Sequence, residues 1–62
     1  MSLTTTPNLS DPDATYAALL AFHKGLSEAE SHALNARLVL ILMNHVGATV
    51  FAEALVLAKS AG

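Results

Sequence analysis

The chain has 62 residues, of which 53% are hydrophobic and 13% are charged, and its formal net charge is −2. This length allows at most one domain, and the high apolar content excludes an intrinsically disordered chain. The three basic residues are too few and too scattered to form the positive patch that a nucleic acid requires, so we expect no nucleic-acid partner. The absence of cysteine excludes disulfides and thiolate metal sites.

Residues 1–10 are predicted to form an extended N-terminal arm that precedes a domain over residues 11–62. The arm contains three consecutive threonines and Pro7, which favour a loop over a helix. It lacks the basic start and the long apolar stretch of a signal peptide. The longest strictly apolar run, residues 38–43, is far shorter than the roughly 20 residues that a membrane span needs. We therefore expect a cytoplasmic protein without a membrane span.

The first helix is predicted over about residues 12–24. Asp11 can accept hydrogen bonds from the free N–H groups at its start, and Pro12 suits the first helical position. Gly25 can adopt the left-handed conformation that ends a helix. The apolar face of this helix consists of Tyr16, Leu19, Leu20, Phe22 and His23. Three small residues make the other side slim, which allows the close approach of a second helix: Ala17, Ala18 and Ala21.

The second helix is predicted over about residues 28–46. Ser27 and Glu30 have the spacing of a capping box, in which each side chain accepts a hydrogen bond from the other residue's backbone N–H. Apolar residues occupy most of the helix circumference and leave a narrow polar strip that includes Arg37 and Asn44. In so short a chain, one of these apolar sides is expected to face another chain.

Gly47 is predicted to end the second helix, and a third helix is predicted over about residues 49–60. Thr49 is a candidate cap for it. Its apolar stripe consists of Val50, Ala54, Leu57 and Ala58. No strand pattern is present, so the predicted fold is an all-α, three-helix small domain with an extended N-terminal arm and a central second helix.

Self-association through the second helix is predicted, giving a homodimer or a higher oligomer. A chain of this size buries only about 60% of the surface that its unfolded form exposes, so a lone monomer gains little net stability. A second copy or a larger protein would cover the remaining apolar surface. The predicted interface residues are Leu34, Leu38, Val39, Ile41, Leu42 and Met43.

The histidines, His23, His32 and His45, are nine and thirteen residues apart. Metal ligands on a helix are typically three or four residues apart, so no metal site is predicted within one chain. We expect His23 and His45 to pack near helix ends and His32 to lie at the surface. A metal site assembled from several chains stays open.

A second polar cluster, Asn35, Arg37, Asn44 and His45, lies within the apolar second helix. These are candidate ligand-binding residues, because an arginine side chain offers a planar set of donors to a carboxylate or phosphate. The alternative is a buried polar network that fixes helix register, or a solvated strip. Glu30 and Arg37 are too far apart to pair within one helix, but they could pair across an antiparallel dimer.

Residues with catalytic potential have structural explanations. The serines lie in caps, the arm or the tail, and Asp11 and Asp13 belong to a helix start. The glycines are isolated and form no phosphate-binding loop. We therefore expect no enzymatic activity and no cofactor.

Six short segments distributed along the chain form a distinctive pattern. They are Pro7-Asn8-Leu9, Asp11-Pro12-Asp13, Gly25-Leu26-Ser27, the run from Ala33 to Leu40, Asn44-His45-Val46-Gly47 and Ala52-Glu53-Ala54-Leu55. Together they resemble a family of short, uncharacterised bacterial proteins with a domain of unknown function, and the resemblance covers Pro7 to Lys59. Members of that family often have an acidic residue where this chain has Ala48.

The resemblance implies an accessory chain that is encoded near flavin-dependent aromatic hydroxylases. The resemblance also implies that the four polar residues of the second helix lie in an interface or in a binding site. The leading hypothesis is therefore a small helical interaction protein, which self-associates or serves as an accessory subunit of a larger, flavin-dependent oxidoreductase. The alternative is a homo-oligomer that binds a small ligand or a metal in a pocket between subunits, lined by Arg37, Asn44 and His45.

Overall fold

Three α-helices account for most of residues 3–61, the part of the chain that the computed structural model describes. They are α1 (Pro12–His23), α2 (Glu28–Val46) and α3 (Ala48–Ala61). No strand occurs in this range, so the predicted all-α, three-helix fold is confirmed. Residues 3–10 are neither helical nor extended into a sheet, as predicted for the arm. The first two residues of that arm and Gly62 lie outside the described residues.

Helix α1 begins at the predicted cap. Oδ1 of Asp11 accepts a hydrogen bond from the backbone N–H of Ala14 at 3.1 Å, which satisfies one of the free donors of the first turn. The helix ends at His23, one residue before the predicted end, because Lys24 has an extended backbone with φ −62° and ψ 128°. Gly25 follows with a φ of 83°, a conformation that favours glycine.

Helix α2 begins with the predicted capping box. The backbone N–H of Glu30 donates to Oγ of Ser27 at 3.2 Å, and the backbone N–H of Ser27 donates to Oε1 of Glu30 at 2.8 Å. The hydrogen bond from the Ser27 backbone favours the ionised carboxylate and lowers the pKa of Glu30 below its ordinary value. Both bonds therefore hold the start of α2.

A single residue, Gly47, connects α2 to α3. Its backbone N–H donates to the carbonyl of Met43 at 2.9 Å, and its carbonyl accepts from the N–H of Phe51 at 3.0 Å. Because the Gly47 carbonyl already accepts the first hydrogen bond of α3, that helix begins at Ala48. Thr49, predicted as a candidate cap, lies inside α3 and does not cap it.

The three helices do not enclose a core. None of the residues in the range 3–61 is buried. The radius of gyration is 13.2 Å, whereas a compact chain of this length has about 11 Å. The accessible surface is 5364 Å², whereas a compact monomer of this size exposes about 3,800 Å². One copy of the chain thus leaves about 1,600 Å² more surface in water than a compact monomer would.

The principal contact between helices joins α2 to α3, and α1 packs against a different side of α2. The arm begins beside α3, where the backbone N–H of Leu3 donates to Oε1 of Glu53 at 2.6 Å. Leu3 is half-buried as a result. On α3, the half-buried residues are Val50, Phe51 and Ala54. The predicted stripe residue Leu57 is exposed, so the packed side of α3 is shifted toward Phe51.

Replacing Ser27 with alanine is expected to lower the free energy of unfolding by about 1 kcal/mol, because the N–H of Glu30 loses its acceptor. The measurement is chemical unfolding followed by circular dichroism. Ser10→Ala, at an exposed position in the arm, is the control and should change stability by less than about 0.5 kcal/mol. Equal effects of the two substitutions would contradict a specific role for the cap.

Gly47→Ala is expected to destabilise the fold by about 1–3 kcal/mol. The φ of 88° and ψ of 165° at Gly47 belong to a region that only glycine occupies readily. No atom lies within 4 Å of a Cβ built at this position, so the loss comes from the backbone and not from crowding.

D-alanine introduced at position 47 by chemical synthesis is the matched control. It adds the same methyl group but adopts positive φ without strain. Its unfolding free energy should therefore stay close to that of the native chain. If the D-alanine and L-alanine forms are destabilised equally, the backbone explanation is wrong.

Candidate functional site

Two of the predicted interface residues, Leu34 and Leu38, contact α1 of the same chain. They are half-buried and line an apolar cavity of about 220 Å³ together with Leu19 and Phe22 of α1. This contact holds α1 against α2. Because α1 covers part of these leucines, their remaining surface can contribute only to the edge of an interface with another chain.

Two other predicted interface residues, Val39 and Leu42, lie on a side of α2 that neither neighbouring helix covers. Together with Val46 they form what we call the α2 outer face. Their exposed fractions are 45% for Val39, 49% for Leu42 and 42% for Val46. Residues three and four positions apart lie on one side of a helix, so the three side chains form a continuous apolar stripe. Val46 was not among the predicted interface residues, although its spacing from Leu42 could have placed it in this stripe.

The remaining predicted interface residues, Ile41 and Met43, lie on other sides of α2. Ile41 is 65% exposed, and it lies about 160° around the helix from Val39. Met43 is half-buried and lines the groove between α2 and α3. The six predicted residues therefore belong to several surfaces, and a single flat contact cannot include all of them.

The α2–α3 groove has a volume of about 420 Å³ and is larger than the cavity between α1 and α2. It opens at the corner formed by Gly47. Its walls are lined by Leu40, Met43, Asn44, Gly47, Ala48, Phe51, Ala52 and Leu55. Asn44 supplies the polar side chain of this lining. Ala48 and Ala52 are small and lie one turn apart, so α3 presents little bulk along this wall.

The candidate ligand-binding residues do not converge within one chain. Asn35 is engaged with α1, because Nε2 of His23 donates to Oδ1 of Asn35 at 2.9 Å in the tautomer with a proton on Nε2. Arg37 and Asn44 lie about 20° apart around α2, but Asn35 lies about 160° from Arg37. Arg37, Asn44 and His45 are all exposed. A pocket formed by these residues across subunits stays a prediction.

The histidines differ in their surroundings. His23 is half-buried at the end of α1, and His32 is exposed, both as expected. His45 is exposed, so the expectation that it packs near a helix end is wrong for the single chain. Its position on α2 is two turns beyond Leu38, where α1 no longer covers this side of the helix.

No group of three or more histidine, aspartate or glutamate side chains within residues 3–61 is arranged to hold a metal ion. None of the helices α1, α2 and α3 is long and apolar enough to cross a membrane. The candidate site is the exposed apolar surface of α2 with the adjoining groove.

The bond between His23 and Asn35 is expected to stabilise the docking of α1 on α2 by about 1 kcal/mol. It is the side-chain hydrogen bond that joins two helices within residues 3–61. A double-mutant cycle of His23→Ala and Asn35→Ala, followed by chemical unfolding, measures this coupling. The same cycle with His45→Ala in place of His23→Ala is the control. Strictly additive effects of His23→Ala and Asn35→Ala would contradict the expected coupling.

Comparison with known proteins identifies a family. The model of a family described as "Protein of unknown function (DUF2783)" matches residues 3–60, which is nearly the whole chain. Searches of curated proteins and of solved structures find no match. The resemblance carried by the six sequence segments is thereby confirmed, and the chain belongs to the DUF2783 family of proteins of unknown function.

Proposed function

We propose that this chain is a non-enzymatic interaction protein whose stable form is a homodimer or a higher oligomer. The observation that carries this proposal is the lack of any buried residue in the range 3–61. Large apolar side chains are exposed on all three helices, with Phe22, Ile41 and Val56 at least 65% exposed. Apolar surface of this extent is rare on stable monomers and is typical of an association surface.

The amount of surplus surface fits an obligate assembly of identical chains. Each copy exposes about 1,600 Å² more than a compact monomer. If each of two copies buried this surplus surface against the other, the interface would bury about 3,200 Å² in total. Obligate homodimers bury about 2,000–5,000 Å², and their interfaces resemble a protein core cut in half.

The chemistry of the described surfaces supports a binding role rather than catalysis. The smaller cavity is lined entirely by apolar side chains, and the groove adds the neutral amide of Asn44. Neither lining contains a group that exchanges protons near neutral pH. The hydroxyl of Ser27 is engaged in the α2 cap, and that of Ser60 donates to the carbonyl of Leu57 at 3.0 Å.

A larger partner is the second part of the proposal. The support for it is the family resemblance, which implies an accessory subunit of a flavin-dependent oxidoreductase. Apolar residues far from α2, such as Val56 on the outside of α3, would remain available to such a partner after the chain self-associates.

Binding of a small ligand is the alternative, and the α2–α3 groove favours it. Its volume of about 420 Å³ falls in the range of about 300–1,000 Å³ that is usual for ligand sites. A second subunit could close the open side of this groove. Asn44 would then orient the ligand, with Arg37 and His45 as the other candidate contacts.

Self-association predicts a dimeric or higher mass in sedimentation experiments and a melting temperature that depends on concentration. For a dimer that unfolds to monomers, each tenfold rise in concentration adds about 1.4 kcal/mol to the free energy of unfolding. The melting temperature should therefore rise by several degrees per tenfold. A folded species of monomeric mass, with the same melting temperature from micromolar to millimolar concentration, would rule out the proposal.

Capture of the tagged chain from its host distinguishes the remaining alternatives. A stoichiometric flavoprotein supports the accessory role. Recovery of the chain alone, with a melting temperature that rises on addition of aromatic carboxylic acids, favours the ligand alternative.

A further inference from the structure

The α2 outer face continues toward the start of the helix at the same spacing. Six exposed positions of α2, which we call the α2 seam, follow one another at alternating intervals of four and three residues: Glu28, His32, Asn35, Val39, Leu42 and Val46. This is the heptad spacing of a helix that pairs with another helix along one side. In heptad terms, Val39 and Val46 occupy a positions and Leu42 occupies a d position.

Neither α1 nor α3 covers the apolar half of this seam, Val39, Leu42 and Val46, whereas His23 of α1 contacts the polar half through its hydrogen bond to Asn35. Helix α1 packs on the side of Leu34 and Leu38, and α3 packs near Met43 at the other flank. The seam lies between these two contacts. It is therefore the side of α2 on which a further helix could lie without displacing α1 or α3.

We infer that the seam pairs with the same seam of a second copy, with the two α2 helices parallel and in register. This inference rests on the proposed self-association and specifies its central contact. Among parallel helices, β-branched residues at a combined with leucine at d favour two strands over three or four, and Val39, Leu42 and Val46 have this arrangement.

The distribution of polar residues supports the parallel orientation. The first half of the seam is polar and the second half is apolar. Parallel pairing places each half of the seam against the same half in the second chain, so Leu42 faces Leu42 of that chain. Antiparallel pairing about the middle of α2 would place Val46 against Glu28 and Leu42 against His32. That arrangement would set each apolar side chain against a polar one, so less apolar surface would be buried between the two helices.

The hydrogen-bonding groups of Asn35 also support the parallel orientation. Its Oδ1 accepts the bond from His23, which leaves one lone pair of that oxygen and both N–H groups of the amide for other partners. In the parallel arrangement the two Asn35 amides face each other and can exchange hydrogen bonds. In the antiparallel one each amide would face Val39, where these groups would have no partner.

The carboxylates of the two Glu28 residues would approach each other in the parallel arrangement, and this repulsion is small. Glu28 is exposed and is the first residue of α2. Water and salt screen exposed charges, and the positive end of the helix dipole favours a carboxylate there.

Disulfide capture tests the seam directly, because the chain has no native cysteine. Single variants Val39→Cys and Leu42→Cys are equilibrated at micromolar concentration in a glutathione buffer. The matched control is Ile41→Cys, which is also exposed on α2 but faces away from the seam. We expect at least about tenfold more disulfide-linked dimer at positions 39 and 42 than at position 41, because pairing raises the local thiol concentration.

Orientation is tested by mixing Leu42→Cys with His32→Cys. In parallel register these positions lie about 15 Å apart along the axis, which is too far for a disulfide, whereas antiparallel pairing about the middle of α2 would place them opposite each other. Each variant should then form disulfides with chains of the same variant. A predominant mixed disulfide between the two variants would overturn the parallel arrangement.

Sedimentation of the same variants under reducing conditions separates this inference from the proposal on which it rests. A dimeric mass with no preferential linkage at positions 39 and 42 overturns the seam but leaves self-association intact. A monomeric mass overturns both. Circular dichroism confirms that each variant is folded, and Val46→Cys alone provides a third seam position if one of the other two is not.

Discussion

The structure depends on one constraint: α2 is apolar on nearly every side, and one chain can cover only some of those sides. Helix α1 shields Leu34 and Leu38, and α3 shields Met43. Val39, Leu42 and Ile41 remain in water. Because each buried methylene contributes about 0.8 kcal/mol, leaving this surface exposed forgoes much of the stabilisation that a small domain needs.

The links between the helices explain why the chain does not close on itself. The single residue Gly47 joins α2 to α3, and its positive φ fixes the direction in which α3 departs. Residues 24–27 join α1 to α2, and the two hydrogen bonds of the capping box fix where α2 begins. With α1 and α3 held on different sides of α2, neither can move to cover the outer face without losing its present contact. Under the proposed self-association, a second copy of the chain would supply this cover.

The positions of the helices could be predicted because their ends are determined locally. Asp11, Ser27 with Glu30, and Gly47 act within one turn of their own positions, so the sequence around each contains the necessary information. Which side of α2 contacts α1, which contacts α3 and which stays exposed could not be predicted in the same way. Several apolar stripes on α2 are chemically equivalent, and the choice between them depends on α1 and α3. The exposure of His45 and the half-burial of Leu34 are consequences of that choice.

In the proposed parallel dimer, three of the candidate polar residues of α2 fall into two groups with separate roles. Asn35 belongs to the seam and is also bonded to His23, so in the proposed dimer it would link the docking of α1 to the pairing of two copies. Arg37 and Asn44 lie on a different side of α2, and Asn44 lines the groove there. A partner or ligand bound there would leave the seam untouched. Self-association and a further binding event therefore need not compete, since they would use different sides of one helix.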